Sequence, residues 1–152
     1  MLVSIIIPGY NVEGYIEECL ESVFGQTHKA IEVIAIDNCS TDETRAILND
    51  YSRKENVTLT VLSEPRAGAP FARNLGLSVA NGEWVQFLDA DDLLLKNKIA
   101  HQVNILQNVD KGVSLVAGAS IKQKLDKSKS TRYLSEESIW LNLFLGGLGN
   151  TC

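Results

Sequence analysis

The sequence has few of the residues that would mark several common classes of protein. Its three cysteines, Cys19, Cys39 and Cys152, stand at unrelated spacings and form no C-x-x-C pair. A disulfide framework is therefore not indicated, and we expect a reducing compartment. The 14 basic residues are outnumbered by 19 acidic ones, which gives a net charge of -5 that repels polyanions. Nucleic acid is thus disfavoured as a partner, whereas an anionic small ligand stays open because a bound divalent cation reverses the local charge.

Long hydrophobic runs are also missing. The longest apolar tract covers residues 139–148, far short of the roughly 20 residues that a membrane-spanning helix needs. The chain enters a predicted strand at once, without the basic and apolar regions of a signal peptide. We therefore expect no transmembrane segment and a cytoplasmic protein, with a peripheral position at the inner face of the membrane open to the full-length form.

The 152 residues are 45% hydrophobic and 22% charged, which is typical of one globular domain. Apolar runs rich in β-branched residues alternate with segments of helical period. The pattern predicts strands at 4–8, 31–37, 57–62, 84–88 and 113–121, and helices at 13–26, 40–51, 70–80 and 94–108. A capping box, Ser40 with Glu43, is predicted to open the second helix. Strands without polar alternation, separated by helices, indicate an α/β fold with a doubly wound, mostly parallel sheet covered by helices on both faces.

Polar residues follow three of the predicted strands, at 8–11, 37–40 and 89–92. In a parallel sheet these strand ends meet at one edge, where ligands bind. Asp89 and Asp91 stand at i and i+2, so on an extended backbone both carboxylates point the same way. They are thus predicted to hold Mg²⁺ or Mn²⁺, which in turn holds a diphosphate. In the alternative interpretation, Asp92 caps the next helix and the other carboxylates are solvated strand ends.

The last third of the chain has a different character. Residues 122–134 are polar, basic and without period, which predicts a flexible loop. Residues 135–145 then read as a short helix that is apolar nearly all round. Because nothing follows to cover it, we expect the 139–148 segment to drive self-association or to be disordered.

Several linked motifs resemble those of the family 2 glycosyltransferases, in the same order and spacing over about residues 1–120. They lie at 3–11, 19–23, 26–27, 32–34, 36–42, 68, 72–77, 80–85 and 87–92. The resemblance implies a GT-A nucleotide-diphospho-sugar transferase fold. It further implies a donor-binding domain at 1–121, the loop at 122–134, and at 135–152 the start of an acceptor half that is truncated here.

The resemblance also implies roles for residues after the first two strands. Pro8 and Tyr10 would line the base pocket, the tyrosine as a stacking face and the proline as a backbone contact. Asp37 would accept a hydrogen bond from a uracil-like edge or the ribose, and Asn11 and Asn38 would border the nucleotide. Each of the first three has an alternative, since Pro8 can end the strand, Tyr10 can be core and Asp37 can cap a helix.

At the fourth strand, the Asp-x-Asp signature of the resembled family falls on Asp89-Ala90-Asp91. Asp91 would ligate the metal with Asp89 shared, and the small Ala90 would let its backbone approach the ribose. Arg66, in the loop opposite, would supplement the site. Arg73 would either contact the nucleotide or pair structurally with one of the carboxylates.

The implied function is metal-dependent, inverting transfer of a sugar from a nucleotide-diphospho-sugar, with uridine the expected base, to an unknown saccharide or lipid-linked acceptor. Inversion needs a general base, which in this family belongs to the second half. The only late carboxylate pair, Glu136 and Glu137, is explained by its helix start, so no base is assigned in this chain. The alternative is a nucleotide-sugar binding module without transfer. A dehydrogenase is opposed because no G-x-G-x-x-G follows the first strand. A phosphatase is opposed because no lysine and no second acidic cluster stand near the strand ends.

Overall fold

A parallel sheet between helices forms the computed structural model, which describes residues 1–55 and 57–108 and, beyond them, the backbone of four short strands. The strands of the main part are β1 (Val3–Gly9), β2 (Ile31–Asp37), β3 (Leu59–Ser63) and β4 (Trp84–Phe87). The helices are α1 (Ile16–Phe24), α2 (Thr44–Ser52), α3 (Ala69–Val79) and α4 (Lys98–Gln107). The later strands are β5 (Leu115–Val116), β6 (Ser120–Gln123), β7 (Lys129–Arg132) and β8 (Phe144–Gly146).

The six-stranded main sheet has the order β3-β2-β1-β4-β8-β5. Strand β1 pairs in parallel with β2 on one side and with β4 on the other, and β3 pairs in parallel with β2. Strand β8 runs antiparallel between β4 and β5. The predicted mostly parallel sheet is confirmed, and its strand order reverses between β1 and β4.

Successive strand residues point to opposite faces, and both faces are buried. On one face Ile5 and Ile7 belong to a large core cluster to which α1, α2 and α4 contribute. On the other face Ile6 and Ile34 pack in a smaller cluster with Ala72 of α3. Helices therefore cover both faces, as predicted for a doubly wound sheet. Each described helix has 11 residues or fewer, so none in that part of the chain is long enough to cross a bilayer.

Two predictions for the last third are wrong where the structure describes it. The 122–134 stretch was expected to be a loop, but Lys122, Gln123 and β7 belong to a two-stranded antiparallel sheet of β6 and β7. A hairpin is held by backbone hydrogen bonds, so it does not need the hydrophobic alternation that the sequence lacks there. Residues 144 and 145 were assigned to an apolar helix, yet their backbone lies in β8, paired with β4 and β5. Residues 135–143, including Glu136 and Glu137, lie outside the described residues.

Boundaries differ at three other places. Helix α2 begins at Thr44 and makes no side-chain cap bond, so the Ser40–Glu43 capping box is wrong. The N–H of Thr44 instead donates to Asp42 Oδ1 at 3.0 Å. Helix α4 begins at Lys98 and not at 94. The predicted strand 113–121 contains β5, but its last two residues belong to β6 in the other sheet.

A polar cluster lies near the amino ends of β1 and β2, at the edge opposite the strand ends discussed above. Glu32 accepts hydrogen bonds from the Ser4 hydroxyl, the Asn81 N–H and the Gly82 N–H. The Gly82 N–H also donates to Ser4 Oγ at 2.8 Å. Partial burial opposes ionisation of Glu32, but these hydrogen bonds outweigh it and hold the pKa of the carboxyl below its ordinary value. The cluster ties the loop before β4 to the two neighbouring strands.

Helix α3 approaches the sheet so closely that a glycine is required at the contact. A Cβ on Gly76 would lie 2.5 Å from Ile6 Cγ2 and 3.1 Å from Ile36 Cδ1. Overpacking costs about 1–3 kcal/mol, which exceeds the roughly 1 kcal/mol that alanine gains over glycine in a helix. Gly76→Ala should therefore lower the free energy of unfolding in urea denaturation. Gly14→Ala is the control, since a Cβ there has no atom within 4 Å; equal stabilities of the two variants would contradict the prediction.

Candidate functional site

The carboxyl ends of β1, β2 and β4 open into one cleft beside the start of α3. The cleft lies where the strand order reverses, which is the ligand-binding position of open α/β sheets. Ala69, the first residue of α3, closes one side of it. The residues that line it are Pro8, Gly9, Tyr10, Val12, Asn38, Ala69, Asp89, Ala90 and Asp91. Six of the predicted site residues are thus brought together, namely Pro8, Tyr10, Asn38, Asp89, Ala90 and Asp91.

The loops after β1 and β2 are joined by hydrogen bonds. Asn11 has a left-handed backbone, with φ of 51°, and its side-chain oxygen accepts the Thr41 N–H at 2.8 Å. The Asn11 N–H donates to Ser40 Oγ at 3.1 Å, and the Val12 N–H donates to Thr44 Oγ1 at 2.8 Å. Asn11 therefore holds two loops together and is not among the cleft-lining residues. Tyr10, in the same loop, is 59% exposed, so it is not a core residue.

Asp37 is buried at the end of β2 and does not line the cleft. Its Oδ1 accepts the Ser40 N–H at 3.2 Å, and its Oδ2 lies 3.6 Å from an Arg45 guanidinium nitrogen. The alternative that Asp37 caps a helix is wrong, because α2 begins only at Thr44; the hydrogen bond from Ser40 stabilises the turn after β2 instead. The oxygen facing Arg45 is held by a long ion pair only.

Asn38 braces the loop between β3 and α3. Its side-chain NH₂ donates to the carbonyls of Glu64 at 2.9 Å and Arg66 at 2.7 Å, and its oxygen accepts the Gly68 N–H at 2.8 Å. Gly68 precedes α3 with φ of 130°, a conformation that side chains disfavour. Asn38 thus fixes where α3 starts, and with it the position of Ala69 in the cleft.

Arg66 does not pair with the aspartates at 89–92. Its Nε and Nη2 donate to the two oxygens of Glu64, each at 2.8 Å, and its guanidinium lies 4.9 Å from the Phe71 ring. The Arg66 N–H also donates to Glu64 at 2.9 Å. The hydrogen bonds from the Arg66 side chain and backbone lower the pKa of Glu64 to about 2. Sequence reasoning missed Glu64, for which the only signal was an acidic residue two positions before an arginine.

Arg73, from α3, pairs with the first carboxylate of the acidic segment. Its Nη2 lies 2.6 Å from Asp89 Oδ1, so the structural pairing named among its alternatives is present. Asp91 is exposed at the cleft, and the described part of the chain contains no ion pair to it. The two carboxylates therefore differ, since one already has a cationic partner.

The backbone between these carboxylates is not extended, as had been expected. Strand β4 ends at Phe87, and the Asp92 N–H donates to the Asp89 carbonyl at 2.9 Å, which closes a turn. Asp89 and Asp91 nevertheless both line the cleft. Burial first, and then the charges of Asp91 and Asp89, raise the pKa of Asp92. Uncompensated negative charge thus accumulates here, as suits a site for a divalent cation.

A buried thiol, that of Cys19, lies beside the acidic segment, with its Sγ 3.9 Å from the Asp89 carbonyl oxygen. Cys19 is fully buried, and burial together with the three aspartates raises its pKa to about 12. It therefore stays a neutral thiol and fills the core as a small apolar residue. No group of three or more His, Cys, Asp or Glu side chains is placed to hold a metal within the described residues. The donor set therefore fits a cation held by one or two carboxylates and completed by ligand phosphates and water.

The chain is similar to several known proteins. The family model described as Glycosyl transferase family 2 matches residues 4–148. The putative teichuronic acid biosynthesis glycosyltransferase TuaG of Bacillus subtilis is 43% identical over 105 residues, which cover 69% of this chain and 42% of TuaG. The glycosyltransferase GlyG of Streptococcus pneumoniae is 35% identical over 112 residues, which cover 74% of this chain and 37% of GlyG. The chain thus spans less than half the length of either relative.

Solved structures show the same architecture. TarS of S. aureus, in complex with UDP-GlcNAc, matches 71% of this chain and 32% of its own with a TM-score of 0.65 and 35% identity. The mannosyltransferase PcManGT of Pyrobaculum calidifontis, in complex with GDP-Man and Mn²⁺, matches 74% of this chain and 34% of its own with a TM-score of 0.69 and 32% identity.

The Glu64–Arg66 pair predicts a specific pH dependence of stability. The pKa of Glu64 falls from an ordinary 4.5 to about 2 on folding, so its stabilising effect is complete above pH 4.5 and is lost as the pH falls toward 2. Glu64→Gln should remove this part of the dependence in thermal unfolding followed between pH 2 and pH 6. The control Glu18→Gln replaces an exposed carboxylate, and its thermal stability should depend on pH as that of the wild type does. If Glu64→Gln also keeps that profile, the pair does not stabilise the loop.

Proposed function

Because the chain belongs to glycosyltransferase family 2, we propose that its cleft binds a nucleotide-diphospho-sugar, and that the protein transfers this sugar to an acceptor. The observation that carries the proposal is the meeting of Asp89 and Asp91 with Pro8 and Tyr10 in one cleft at the reversal of strand order. Such a donor has a base at one end, on which an aromatic ring can stack. Its diphosphate needs a cation, which a pair of carboxylates can hold. The Asp-x-Asp sequence lies at the carboxyl end of β4, where a diphosphate would meet a cation.

The proposed donor carries uridine. TarS binds UDP-GlcNAc, and PcManGT binds GDP-Man; the identity to TarS and its UDP complexes favour the uridine nucleotide. Tyr10 offers the base an exposed ring at the cleft, while Pro8, Asn11 and Asn38 shape its surroundings. Asp37 would accept a hydrogen bond from the base or ribose with the oxygen that faces Arg45, because the half-exposed Arg45 guanidinium lies 3.6 Å away and can move aside.

Asp91, with Asp89 shared, would hold Mg²⁺ or Mn²⁺ in this proposal. When bound, such a cation supplies Lewis-acid stabilisation of the leaving diphosphate. Arg73 keeps Asp89 oriented through the 2.6 Å ion pair and adds positive charge beside the diphosphate. The small, buried Ala90 leaves room for the ribose to approach the backbone. Arg66, bound by Glu64, would reach the nucleotide only from the rim of the cleft.

The remaining parts of the reaction belong to the protein as a whole. We propose inverting transfer, with the general base and the acceptor site supplied beyond residue 121, and a saccharide or lipid-linked acceptor. A cytoplasmic location, peripheral to the membrane, is proposed on the free thiols of Cys19 and Cys39. Self-association through residues 139–148 stays a prediction, which light scattering would test. Transfer is tested with radiolabelled donor on a chain of the relatives' length. If the labelled sugar stays on the nucleotide, the alternative holds, and the protein is a binding module without transfer.

The metal assignment is tested with Asp91→Ala. Removal of a direct ligand should lower Mn²⁺-dependent affinity for UDP by at least about 100-fold, since even partners that only orient ligands are worth roughly 10–100-fold. Isothermal titration of UDP with Mn²⁺ and with EDTA measures the difference. The control Asp50→Ala removes an exposed carboxylate from α2, 76% accessible, and should bind like the unchanged chain. Full Mn²⁺-dependent binding by Asp91→Ala would refute the assignment.

A further inference from the structure

One buried amide connects the end of α1 to the segment that follows the acidic residues. The Gln26 side chain is 1% exposed. Its Nε2 donates to the carbonyls of Leu95 at 2.9 Å and Ser22 at 3.1 Å, and its Oε1 accepts the Ile99 N–H at 3.1 Å. Both donors and the carbonyl of the amide are therefore engaged. Gln26 lies outside the cleft and has no part in the donor contacts proposed above.

In the segment between Asp92 and α4, one apolar side chain, that of the half-buried Leu94, packs against the main core. Leu93 is 53% exposed and Leu95 is 66% exposed, so neither anchors the segment by burial. Three further hydrogen bonds join it to the α1 region. The Leu94 N–H donates to Ser22 Oγ at 3.0 Å, and the Thr27 N–H and hydroxyl donate to the Lys96 carbonyl at 3.1 Å and 3.4 Å. The segment is thus fixed to α1 along its length.

Gln26 also completes the amino end of α4. The first N–H groups of a helix have no partner within the helix and need an acceptor from elsewhere. Asn97, at the cap position of α4, makes no side-chain cap bond. The N–H of Ile99, the second residue of the helix, receives its acceptor from Gln26. Loss of the Gln26 side chain would leave this N–H without its acceptor, so the start of α4 should loosen as well.

We propose that Gln26 is a positioning residue for the metal site, an inference that rests on the proposed function. The chain that carries Asp91 leaves β4 at Phe87 and is fixed again at Leu95. Between these points, Arg73 holds Asp89, Ala90 is buried and the Leu94 N–H bonds Ser22 Oγ. For Asp91 and Asp92, the described residues provide one hydrogen bond, the turn bond from the Asp92 N–H to the Asp89 carbonyl. Without the anchor at Leu95, this span gains freedom, and the carboxylate of Asp91 is no longer held at the cleft. Gln26 therefore acts on the cation through the backbone.

The test uses Gln26→Met in the whole chain, a substitution that keeps the length of the side chain and removes its hydrogen bonds. UDP is titrated with Mn²⁺ and with EDTA. The gain in affinity that Mn²⁺ brings should fall by roughly 10–100-fold, the range for groups that orient metal ligands. Affinity in EDTA should not change, because Pro8 and Tyr10 are untouched. Amide hydrogen exchange at residues 92–97 should be faster in the ligand-free variant.

A matched control is Ser4→Ala at the opposite edge of the sheet. Ser4 is fully buried and bonds Glu32 and Gly82, so its loss destabilises the fold without touching the acidic segment. This variant should keep the full Mn²⁺ gain. Ser22→Ala is a milder second variant. It removes the acceptor for the Leu94 N–H and a hydrogen bond to the Cys19 carbonyl within α1, and it should lower the Mn²⁺ gain in the same direction by less.

The outcomes separate the two proposals. An undiminished Mn²⁺ gain in both Gln26→Met and Ser22→Ala, or an equal loss in Ser4→Ala, would show that Gln26 has no positioning role while the metal site stands. If the unchanged chain binds UDP no more tightly with Mn²⁺ than with EDTA, the metal-dependent donor site itself is refuted, and the positioning role falls with it.

Discussion

The site depends on the parallel pairing of β1 on both of its edges. The chain passes from β1 to β2 and β3 on one side and then returns to β4 on the other. The loops that leave β1, β2 and β4 therefore meet at one edge of the sheet where the strand order reverses, and the cleft lies between them. This single constraint brings Tyr10 and Asp91, 81 positions apart in sequence, into contact with one space. Core packing of the buried β1 isoleucines holds the strand in place.

The elements that set this geometry could be predicted from the sequence, because their signal is local and repetitive. Strands β1, β2 and β4 are runs of apolar, β-branched residues without polar alternation, and they were placed to within one or two residues. Once the sheet is parallel, the meeting of their carboxyl ends follows from topology alone. Pro8, Asn38 and Asp89 could be assigned to one site on that basis. The resemblance to a known family added the roles that topology cannot give.

The choice of hydrogen-bond partners could not be predicted. Ser40 was read as a helix cap, but its hydroxyl serves the Asn11 N–H from another loop. Arg66 was placed near the acidic residues, yet Glu64 two positions earlier binds it completely. Such choices depend on which groups the tertiary fold brings close, and no local period records them. Gln26 did leave a trace, since it continues the buried stripe of α1 three residues after Val23, where a polar side chain must find partners.

The two loops after β1 and β2 are bonded to each other through Asn11, Ser40, Thr41 and Thr44. They would therefore respond to a ligand as one rigid unit. A nucleotide entering between Tyr10 and Asn38 meets walls whose conformational entropy was already lost during folding, so association gives up little additional freedom there. In the proposed donor site, this preorganisation would favour rapid, lock-and-key capture of the base, and it would leave induced fit to the end that holds the acidic residues.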